Sequence, residues 1–320
     1  MKRILITGAH GFVGTNLSEY LANDHQLRLI ALDIDKKAVS AYYKEYTWNE
    51  FSAIDFNTID TIIHLAGIAH DTRHTKDKEE YFKINVGLTK RVFDQFVTSE
   101  AKKFIYFSSV KAVADSVAHN VLTEEDLPNP KTPYGQSKLE AEKYLSSQIL
   151  TKEKSLYILR PAMIHGPGNK GNLNSLINLI NRGLPYPLGA FSSQRSFTSI
   201  GNLNFVIDQF IHREIEPGIY QIADKESISI NEIIKLIGEA TSHHPRILNV
   251  PVPLVKCIAH IGNLLHLPLN SEKLQKLTEN YLVSNKKLTT ALGVDLPVQA
   301  HEGLKSTLNH IRLNKNNAHA

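Results

Sequence analysis

The sequence predicts an α/β protein built on a doubly wound parallel sheet. In its first half, short apolar runs alternate with longer helical patterns. The runs read RILIT, LRLIALD, DTIIHLA, KFIYFSS and SLYILRP, and the helical stretches lie near residues 12–22, 78–99 and 134–149. Continuous apolar runs are typical of strands that are buried on both faces, and their alternation with helices implies right-handed crossovers between parallel strands. In such sheets, ligands bind beyond the carboxyl ends of the strands.

The second half is less regular and predicts a smaller C-terminal lobe that binds substrate. Loops rich in Gly, Pro and Asn occupy residues 165–200, and helical patterns follow near 202–212, 229–241, 253–265 and 300–311. We therefore expect a first domain over 1–164, to which 201–224 returns, a substrate lobe over 165–200 and 225–312, and a disordered tail over 313–320.

One late segment, VPVPLVKCIAHIGNLLHLPL, is strongly apolar but also contains prolines, histidines and a lysine. It is too polar to span a membrane. Leu254, Ile258, Ile261 and Leu265 recur at helical spacing, so we expect a helix that packs this stripe into the core. The single cysteine, Cys257, excludes an internal disulfide, and we expect it to be a small buried residue of the same helix.

Charge and composition limit the classes of function. The formal net charge of +4 comes from 36 basic and 32 acidic residues that are spread along the chain rather than clustered. This distribution indicates no nucleic-acid partner but is compatible with an anionic small molecule. The chain starts with two basic residues and an apolar run, which glycines and a histidine soon interrupt. We therefore expect no signal peptide, no membrane segment and a cytoplasmic location.

A glycine-rich turn, ILITGAHGFVG, follows the first apolar run. Gly8, Gly11 and Gly14 precede or open a helix that starts near Phe12. Glycines let a turn adopt positive φ and let the backbone approach a pyrophosphate, which then lies at the helix N-terminus. The spacing is Gly-x-x-Gly-x-x-Gly rather than the Gly-x-Gly-x-x-Gly of the dinucleotide fingerprint. Its position at the first strand–helix junction nevertheless predicts a dinucleotide site.

The second apolar run ends in ALDID, which places Asp33 where a carboxylate would accept hydrogen bonds from the adenosine ribose hydroxyls. Such a carboxylate repels a 2′-phosphate, so Asp33 favours NAD(H) over NADP(H). Asp35 is a competing candidate, and a plain turn residue at the strand end is the structural alternative.

The stretch TPYGQSKLEAEKYL predicts a helix with Pro133 in its first turn. Tyr134 and Lys138 are four residues apart and therefore share one face. A surface tyrosine stacked on a lysine stem is one interpretation. The other is an ammonium that depresses the pKa of a phenol, which makes the phenol a proton shuttle.

Several motifs in order resemble the extended short-chain dehydrogenase/reductases, the nucleotide-sugar epimerase/dehydratase group. They are TGAHGFVG, HLAG at 64–67, NVGLT at 85–89, FSSV at 107–110, YGQSK at 134–138 and LRPAMIHGPG at 159–168. The resemblance covers nearly the whole chain. It implies an NAD-binding Rossmann-type first domain, a substrate-binding C-terminal lobe, and a homodimer joined through two helices of the first domain.

The resemblance also implies the roles of the catalytic residues. Tyr134 would be the acid/base, and Lys138 would lower its pKa and hold the nicotinamide ribose. Ser109 would hydrogen-bond the substrate oxygen, with Ser108 as the competing candidate. Hydride would leave or reach a sugar carbon while the phenol takes or gives the hydroxyl proton.

Further positions follow from the same resemblance. The cofactor-binding set comprises Gly8, Gly11, Phe12, Gly14, Asp33, Asp55, Leu65, Ala66, Gly67, Asn85, Tyr134 and Lys138. Within it, Asn85 would steady the active-site helix, and Asp55 would contact adenine unless it is a plain turn residue. The substrate-binding set comprises Ser109, Lys111, Asn172 and Arg195, of which Arg195 would fork onto phosphate oxygens. Lys276 is a weaker candidate for a second cation that binds the diphosphate. An exposed lysine on a helix is the simpler interpretation of this residue.

Departures from the family pattern reduce the number of reactions that the protein could catalyse. Dehydratases place an Asp-Glu pair after the serine, where this chain has Val110 and Lys111, so we reject 4,6-dehydration. The Val-Tyr-Gly of many 4-epimerases is replaced by Ala112, Val113 and Ala114. Many family members also keep an asparagine where this chain has Met163.

The combination of HLAGIAHD, SSVKAV and GPGNKGNLNSLINLINRGLPYPLG resembles a bacterial surface-polysaccharide subgroup that contains both reductases and 4-epimerases. We favour a reductase of a UDP-4-keto-6-deoxy-N-acetylhexosamine, with a UDP-hexose or UDP-N-acetylhexosamine 4-epimerase as the alternative. A non-catalytic NAD(P)-binding sensor is disfavoured because the tyrosine, lysine and serine are all retained. His70, His74 and His165 fit no metal signature, and the chemistry needs no metal.

Overall fold

The computed structural model describes residues 1–68, 77–117, 121–169, 173–241, 243–265 and 270–317. Its strands are β1 (Lys2–Thr7), β2 (Leu27–Asp33), β3 (Lys44–Thr47), β4 (Thr61–His64), β5 (Lys103–Phe107), β6 (Ser155–Pro161), β7 (Met163–His165), β8 (Gln194–Arg195), β9 (Phe197–Ser199), β10 (Gly218–Ile222) and β11 (Ile228–Ser229). Seven of them form one sheet in the order β10-β6-β5-β4-β1-β2-β3, and every neighbouring pair in it is parallel. The predicted α/β fold class is confirmed.

The helices are α1 (Phe12–Leu21), α2 (Lys78–Tyr81), α3 (Gly87–Thr98), α4 (Pro133–Ser146), α5 (Leu173–Asn181), α6 (Ile200–His212), α7 (Ile230–Thr241), α8 (Val252–Leu264), α9 (Ser271–Thr278), α10 (Lys286–Leu292) and α11 (Ala300–Asn317). A π-helical turn over Phe82–Val86 joins α2 to α3. Within the described ranges, no helix is both long and apolar enough to cross a membrane.

The sheet has an apolar core on each face because successive side chains of a strand point to opposite sides. On one face, Ile4 and Ile6 pack with α1 and α6, whereas Leu5 packs on the other face with α3 and α4. The order of the strands turns at β1, whose neighbours are β2 and β4. A dinucleotide binds at this switch point in folds of this kind, and the carboxyl ends of β1, β4 and β5 carry most of the candidate site residues.

The later part of the chain both completes the sheet and builds a second core. Helix α6 and strand β10, within residues 200–222, lie on and in the main sheet. Helices α5, α7 and α11 share a separate apolar cluster that includes Ile177, Ile234 and Leu304. Helix α11 continues to Asn317 and so extends into 313–320, where a disordered tail was expected. The domain boundaries themselves stay a prediction.

Helix α8 faces the other way from the prediction. Leu254, Ile258, Ile261 and Leu265, which were expected in the core, are each between 46% and 60% exposed. The buried stripe consists instead of Val255, Ala259 and Gly262. These smaller side chains let the helix backbone lie close to the lobe, and a pattern that counts only hydrophobicity selects the larger residues. Cys257, expected to be buried, is also exposed.

Candidate active site

Helix α4, which carries the candidate catalytic pair, begins at a clear start signal. Thr132 caps the helix by accepting a hydrogen bond from the Gly135 amide, and Pro133 occupies the first turn. The Asp115 carboxylate holds the residues before the helix. It accepts from the amides of Lys131 (2.6 Å) and Thr132 (3.1 Å) and from the Thr132 hydroxyl (2.9 Å). Asp115, which the sequence analysis missed, therefore fixes where the first turn of α4 lies.

Tyr134 lies on that first turn, close enough to the Ser109 side chain for the two to interact. Burial raises the pKa of Tyr134, the Ser109 side chain lowers it, and the nearby Tyr81 raises it further. The rings of Tyr81 and Tyr134 are 6.2 Å apart. Because the net shift is upward, the phenol is protonated at neutral pH.

Lys138 lies one turn further along α4 and is buried. Its ammonium donates a 2.7 Å hydrogen bond to the carbonyl of Phe107 and lies 5.1 Å from the ring centre of Tyr106. Burial lowers the pKa of Lys138 to about 8, and the charge of Glu142 opposes this shift. The pKa of Tyr134 is therefore raised overall and not depressed as expected, because burial of the phenol outweighs the interaction with Ser109 that lowers it.

Ser108 and Ser109 have different partners. This difference supports the choice of Ser109 as the serine that hydrogen-bonds the substrate oxygen. Ser108 donates a short hydrogen bond to Glu142 in the interior, whereas Ser109 interacts with the phenol of Tyr134 and lowers its pKa. Glu142 also receives both arms of Arg160, with Nε at 2.9 Å and Nη2 at 2.5 Å from its two oxygens. Ser108 is thus committed to a buried ion pair beneath the site. Among the residues that the structure describes, Ser109 has no such bond to a buried ion pair, and its role in the reaction stays a prediction.

The glycine-rich turn packs against the end of β4. Gly8 has φ +68°, and a Cβ there would lie 2.8 Å from the amide nitrogen of Ala66. A Cβ on Gly14 would lie 2.5 Å from the carbonyl oxygen of Ala9. Leu65 and Ala66 are themselves tied to β1, because their amides donate to the carbonyl and the hydroxyl of Thr7, both at 3.1 Å.

Gly11 serves as the N-cap of α1, so Phe12 opens the helix as predicted. No side chain caps this end. The amides of the first turn and the positive end of the helix dipole therefore point toward the place where an anionic group binds in dinucleotide folds.

The two aspartates assigned to the adenosine end differ in their surroundings. Asp33 ends β2, and its carboxylate accepts from the amides of His10 and Ile34, both at 2.7 Å. It is therefore held against the glycine-rich turn, where the ribose interaction was predicted. Asp55 is exposed and caps a short 3-10 turn by accepting from Asn57 at 3.2 Å. This is the plain turn role that the sequence left open.

Asn85 lies in the π-helical turn and connects three parts of the site. Its Oδ1 accepts from the Ile68 amide at 2.7 Å, and its Nδ2 donates to Ser137 on α4 at 2.9 Å. A Cβ on Gly67 would lie 2.7 Å from that Oδ1 and 3.5 Å from the ammonium of Lys138. π-Helical turns often occur at functional sites. Here the turn directs Asn85 to the loop after β4 and to α4, and its role in steadying the active-site helix stays a prediction.

On the substrate side, Lys111 packs against a residue of the C-terminal half. Its ammonium donates to the Asp115 carbonyl at 2.8 Å and lies 4.3 Å from the ring centre of Tyr281. The Tyr281 hydroxyl donates to the carbonyl of Ala114 at 2.7 Å. Tyr281, which the sequence analysis missed, thus connects the loop after Ser109 with the second lobe.

Arg195 pairs with Tyr281 through the main chain. The Tyr281 amide donates to the Gln194 carbonyl, and its carbonyl accepts from the Ser196 amide, both at 2.9 Å, so the two segments run together around Arg195. Burial lowers the pKa of the Arg195 guanidinium, and the charges of Glu279 and Tyr186 oppose this shift. The structure therefore places both predicted substrate cations, Lys111 and Arg195, beside Tyr281.

The remaining predicted positions give less information. Asn172, His70 and His74 lie outside the described residues, as does the side chain of Lys276. His165 is buried, and its Nδ1 lies 2.9 Å from the hydroxyl of Thr307. Among the residues that the structure describes, no group of three or more His, Cys, Asp or Glu side chains could hold a metal ion.

We expect Asp115→Ala to lower both stability and turnover. Three hydrogen bonds at the start of α4 are lost, which corresponds to about 1–2 kcal/mol in the free energy of unfolding. Turnover falls because the first turn of α4, with Tyr134, is no longer held. The measurement is urea unfolding together with steady-state kinetics.

The matched control for Asp115 is Asn270→Ala, which removes the cap of α9 and its 2.8 Å bond to the Lys273 amide. It should reduce stability but leave turnover unchanged. Equal turnover in the two variants would show that Asp115 has no role in placing Tyr134.

The sheet, the glycine-rich turn and the serine–tyrosine–lysine arrangement define an extended short-chain dehydrogenase/reductase. The chain belongs to the NAD dependent epimerase/dehydratase family, whose model matches residues 4–223. NAD(H) is accordingly its cofactor, as the sequence predicted. The glycine-rich turn, which tolerates no Cβ at Gly8 or Gly14, and the helix end at Phe12 suit a pyrophosphate.

Characterised proteins of this family include both epimerases and reductases. The UDP-glucose 4-epimerase of Vibrio cholerae is 28% identical over 96% of this chain and 94% of its own length. The dTDP-4-dehydro-6-deoxyglucose reductase of Escherichia coli is 26% identical over 73% of this chain and 80% of its own. The solved UDP-glucuronic acid 4-epimerase of Bacillus cereus, in complex with NAD, has a TM-score of 0.73 at 20% identity, covering 98% of this chain and 99% of that one.

Proposed function

We propose that this protein reduces the 4-keto group of a UDP-4-keto-6-deoxy-N-acetylhexosamine with NADH, in the synthesis of a surface polysaccharide. The observation that carries the proposal is the state of Tyr134. Burial raises its pKa, so the phenol keeps its proton at neutral pH, and the Ser109 side chain lies close enough to interact with it. A carbonyl that receives hydride needs a proton donor at its oxygen, and a protonated phenol supplies one.

The cofactor supplies the hydride, and side chains of this protein position the substrate oxygen and donate the proton to it. Ser109 and Tyr134 hydrogen-bond the C4 oxygen of the sugar. Tyr134 gives its proton to that oxygen as the carbonyl becomes a hydroxyl, and the tyrosine is left as a phenolate. Lys138 carries positive charge at neutral pH, because its pKa is about 8, and this charge stabilises the phenolate.

The cations beside Tyr281 suit the diphosphate of the substrate. Lys111 offers an ammonium whose position is fixed by the Asp115 carbonyl and the Tyr281 ring. Arg195 offers a planar guanidinium that can bind two phosphate oxygens at once. The B. cereus enzyme of the same fold is a UDP-sugar epimerase, and this supports a UDP-sugar for the present protein.

A 4-epimerase of a UDP-hexose or UDP-N-acetylhexosamine is the second candidate. The Vibrio cholerae relative, a UDP-glucose 4-epimerase, is similar over almost the whole chain. Epimerisation starts with oxidation, which needs Tyr134 to accept a proton first, and the reduced cofactor must then stay bound. Both reactions use Tyr134 for the same proton transfer, and we favour the reductase because Ala112, Val113 and Ala114 replace the Val-Tyr-Gly of many 4-epimerases.

The test follows NADH absorbance with purified protein and a UDP-4-keto-6-deoxy-N-acetylhexosamine, and then separates the sugar nucleotides by chromatography. Stoichiometric loss of NADH with a single reduced product supports the reductase. If NADH persists and the protein instead interconverts UDP-GlcNAc with UDP-GalNAc, or UDP-glucose with UDP-galactose, the protein is an epimerase and the proposal is wrong.

We expect reduction to slow as the pH rises through about 8, the pKa of Lys138. Below this pH the ammonium stabilises the phenolate formed at Tyr134, and above it the lysine is neutral and this stabilisation is lost. The raised pKa of Tyr134 keeps the phenol itself from titrating in the same range. The measurement is kcat with saturating NADH and sugar across the neutral and alkaline range. A profile without a decline near this pH would contradict the role of Lys138.

A further inference from the structure

Glu45 lies beside the adenosine end of the cofactor site although no motif includes it. It is on β3, which pairs with β2 so that Glu45 lies opposite Ala31, two residues before Asp33. Its carboxylate is almost fully buried, with 10% of the side chain exposed. The sequence analysis gave this residue no role.

The Glu45 carboxylate holds the loop that follows β2. It accepts from the amides of Lys37 and Val39, both at 2.9 Å. Between these amides lies Ala38, which has φ +52°. A non-glycine residue in this region of backbone space is strained, so the surrounding contacts must hold it there. The loop from Asp33 to β3 is therefore shaped by Glu45.

The same carboxylate also reaches the glycine-rich turn. Its Oε2 lies 3.1 Å from Nε2 of His10, while the His10 backbone amide donates to Asp33 at 2.7 Å. Asp33 and Glu45 thus hold one residue of the turn from two sides, through its main chain and its ring. The ring of Tyr42 packs edge-on against His10 at 5.8 Å and completes the enclosure.

The charges in this loop disfavour an additional phosphate. Burial opposes ionisation of Glu45, but the hydrogen bonds from Lys37, Val39 and His10 outweigh it and keep the pKa of Glu45 below its usual range. The ammonium of Lys36, in the same loop, lies 2.7 Å from Glu50. A 2′-phosphate at Asp33 would therefore meet two carboxylates, one of which is shielded from solvent.

We propose that Glu45 is a specificity-determining residue that, together with Asp33, selects NAD(H) against NADP(H). It contributes a second negative charge next to the ribose position, and it fixes the loop that a 2′-phosphate would have to displace. The proposal rests on the cofactor of the family and not on the identity of the sugar. Its test therefore does not depend on whether the protein is a reductase or an epimerase.

The experiment measures the dissociation constants of NADH and NADPH by nucleotide fluorescence, without any sugar. The variants are Glu45→Gln, which keeps the shape and removes the charge, Glu45→Asp, which keeps the charge, Asp33→Asn and the double variant with Glu45→Gln. Asp295→Asn is the matched control, because it removes an exposed carboxylate paired with Lys225 far along the chain.

We expect Glu45→Gln to strengthen NADPH binding relative to NADH by about tenfold. The double variant should exceed either single change, whereas Glu45→Asp and Asp295→Asn keep the wild-type ratio. The effect of Glu45→Gln should shrink at high salt, because salt screens the repulsion.

An unchanged ratio in Glu45→Gln would overturn the proposal. So would equal weakening of both nucleotides, which would indicate that Glu45 only supports the loop. If Glu45→Gln lacks the circular dichroism spectrum of the wild type, Glu45→Met is measured in its place with the same expectation for the ratio.

Discussion

Replacing Tyr134 with phenylalanine is expected to lower turnover by about 10²–10⁴-fold and to leave NADH binding nearly unchanged. The variant keeps the ring that packs near Tyr81 and removes only the hydroxyl, which interacts with Ser109. Without that hydroxyl, no group in the described site is placed to give a proton to the C4 oxygen. The measurements are kcat with the 4-keto sugar and the dissociation constant of NADH.

The control is Tyr20→Phe on the exposed side of α1, which should match the wild type in both measurements. Full turnover in Tyr134→Phe would remove the assigned proton donor. Loss of NADH binding together with turnover would indicate that the variant disturbs the cofactor site, and would contradict a role confined to proton transfer.

The second large effect is on stability. Glu142→Ala should reduce the free energy of unfolding by about 3–5 kcal/mol. The change leaves the Arg160 guanidinium, which is 3% exposed, without its carboxylate. It also leaves Ser108 without the acceptor of its short hydrogen bond. A buried charge without its partner is costly, because burial has removed its hydration.

The measurement is urea unfolding, and the chain offers a compensating variant. Glu142→Leu combined with Arg160→Met removes both charges and fills a similar volume, so it should recover most of the lost stability. A loss below about 1 kcal/mol in Glu142→Ala, the range of an exposed pair, would show that the pair is not buried as described.

The sequence was sufficient for the fold because its signals were repeated and local. Each uniformly apolar run became a strand of the parallel sheet, and the Thr-Pro signal became the start of α4. The glycine-rich turn was also predictable, since Gly8 and Gly14 are positions where the structure leaves no room for a Cβ.

The contacts between distant segments were not predictable. Each of three important side chains contacts backbone groups or rings from another part of the chain, namely those of Asp115, Tyr281 and Glu45. No spacing in the sequence reveals such partners. Glu142 had one weak signal, a carboxylate four residues after Lys138 on the same face of α4, but this also fits a solvated helix residue.

Two of the failed predictions have definable physical reasons. The exposed stripe of α8 shows that hydrophobicity alone does not select the buried face, because the small Ala259 and Gly262 allow closer packing. The direction of the pKa shift at Tyr134 was wrong because the nearby lysine was considered and the burial of the phenol was not. Burial depends on the assembled fold and is not visible in a pair of residues.

The most direct test of the account follows the hydride. NADH that carries deuterium in the transferred position is incubated with a UDP-4-keto-6-deoxy-N-acetylhexosamine, and the sugar nucleotide is examined by mass spectrometry and NMR. We predict one deuterium at C4 of a single reduced product. Unconsumed NADH with no deuterium in the sugar, or deuterium at another carbon, would contradict the proposed reduction at C4.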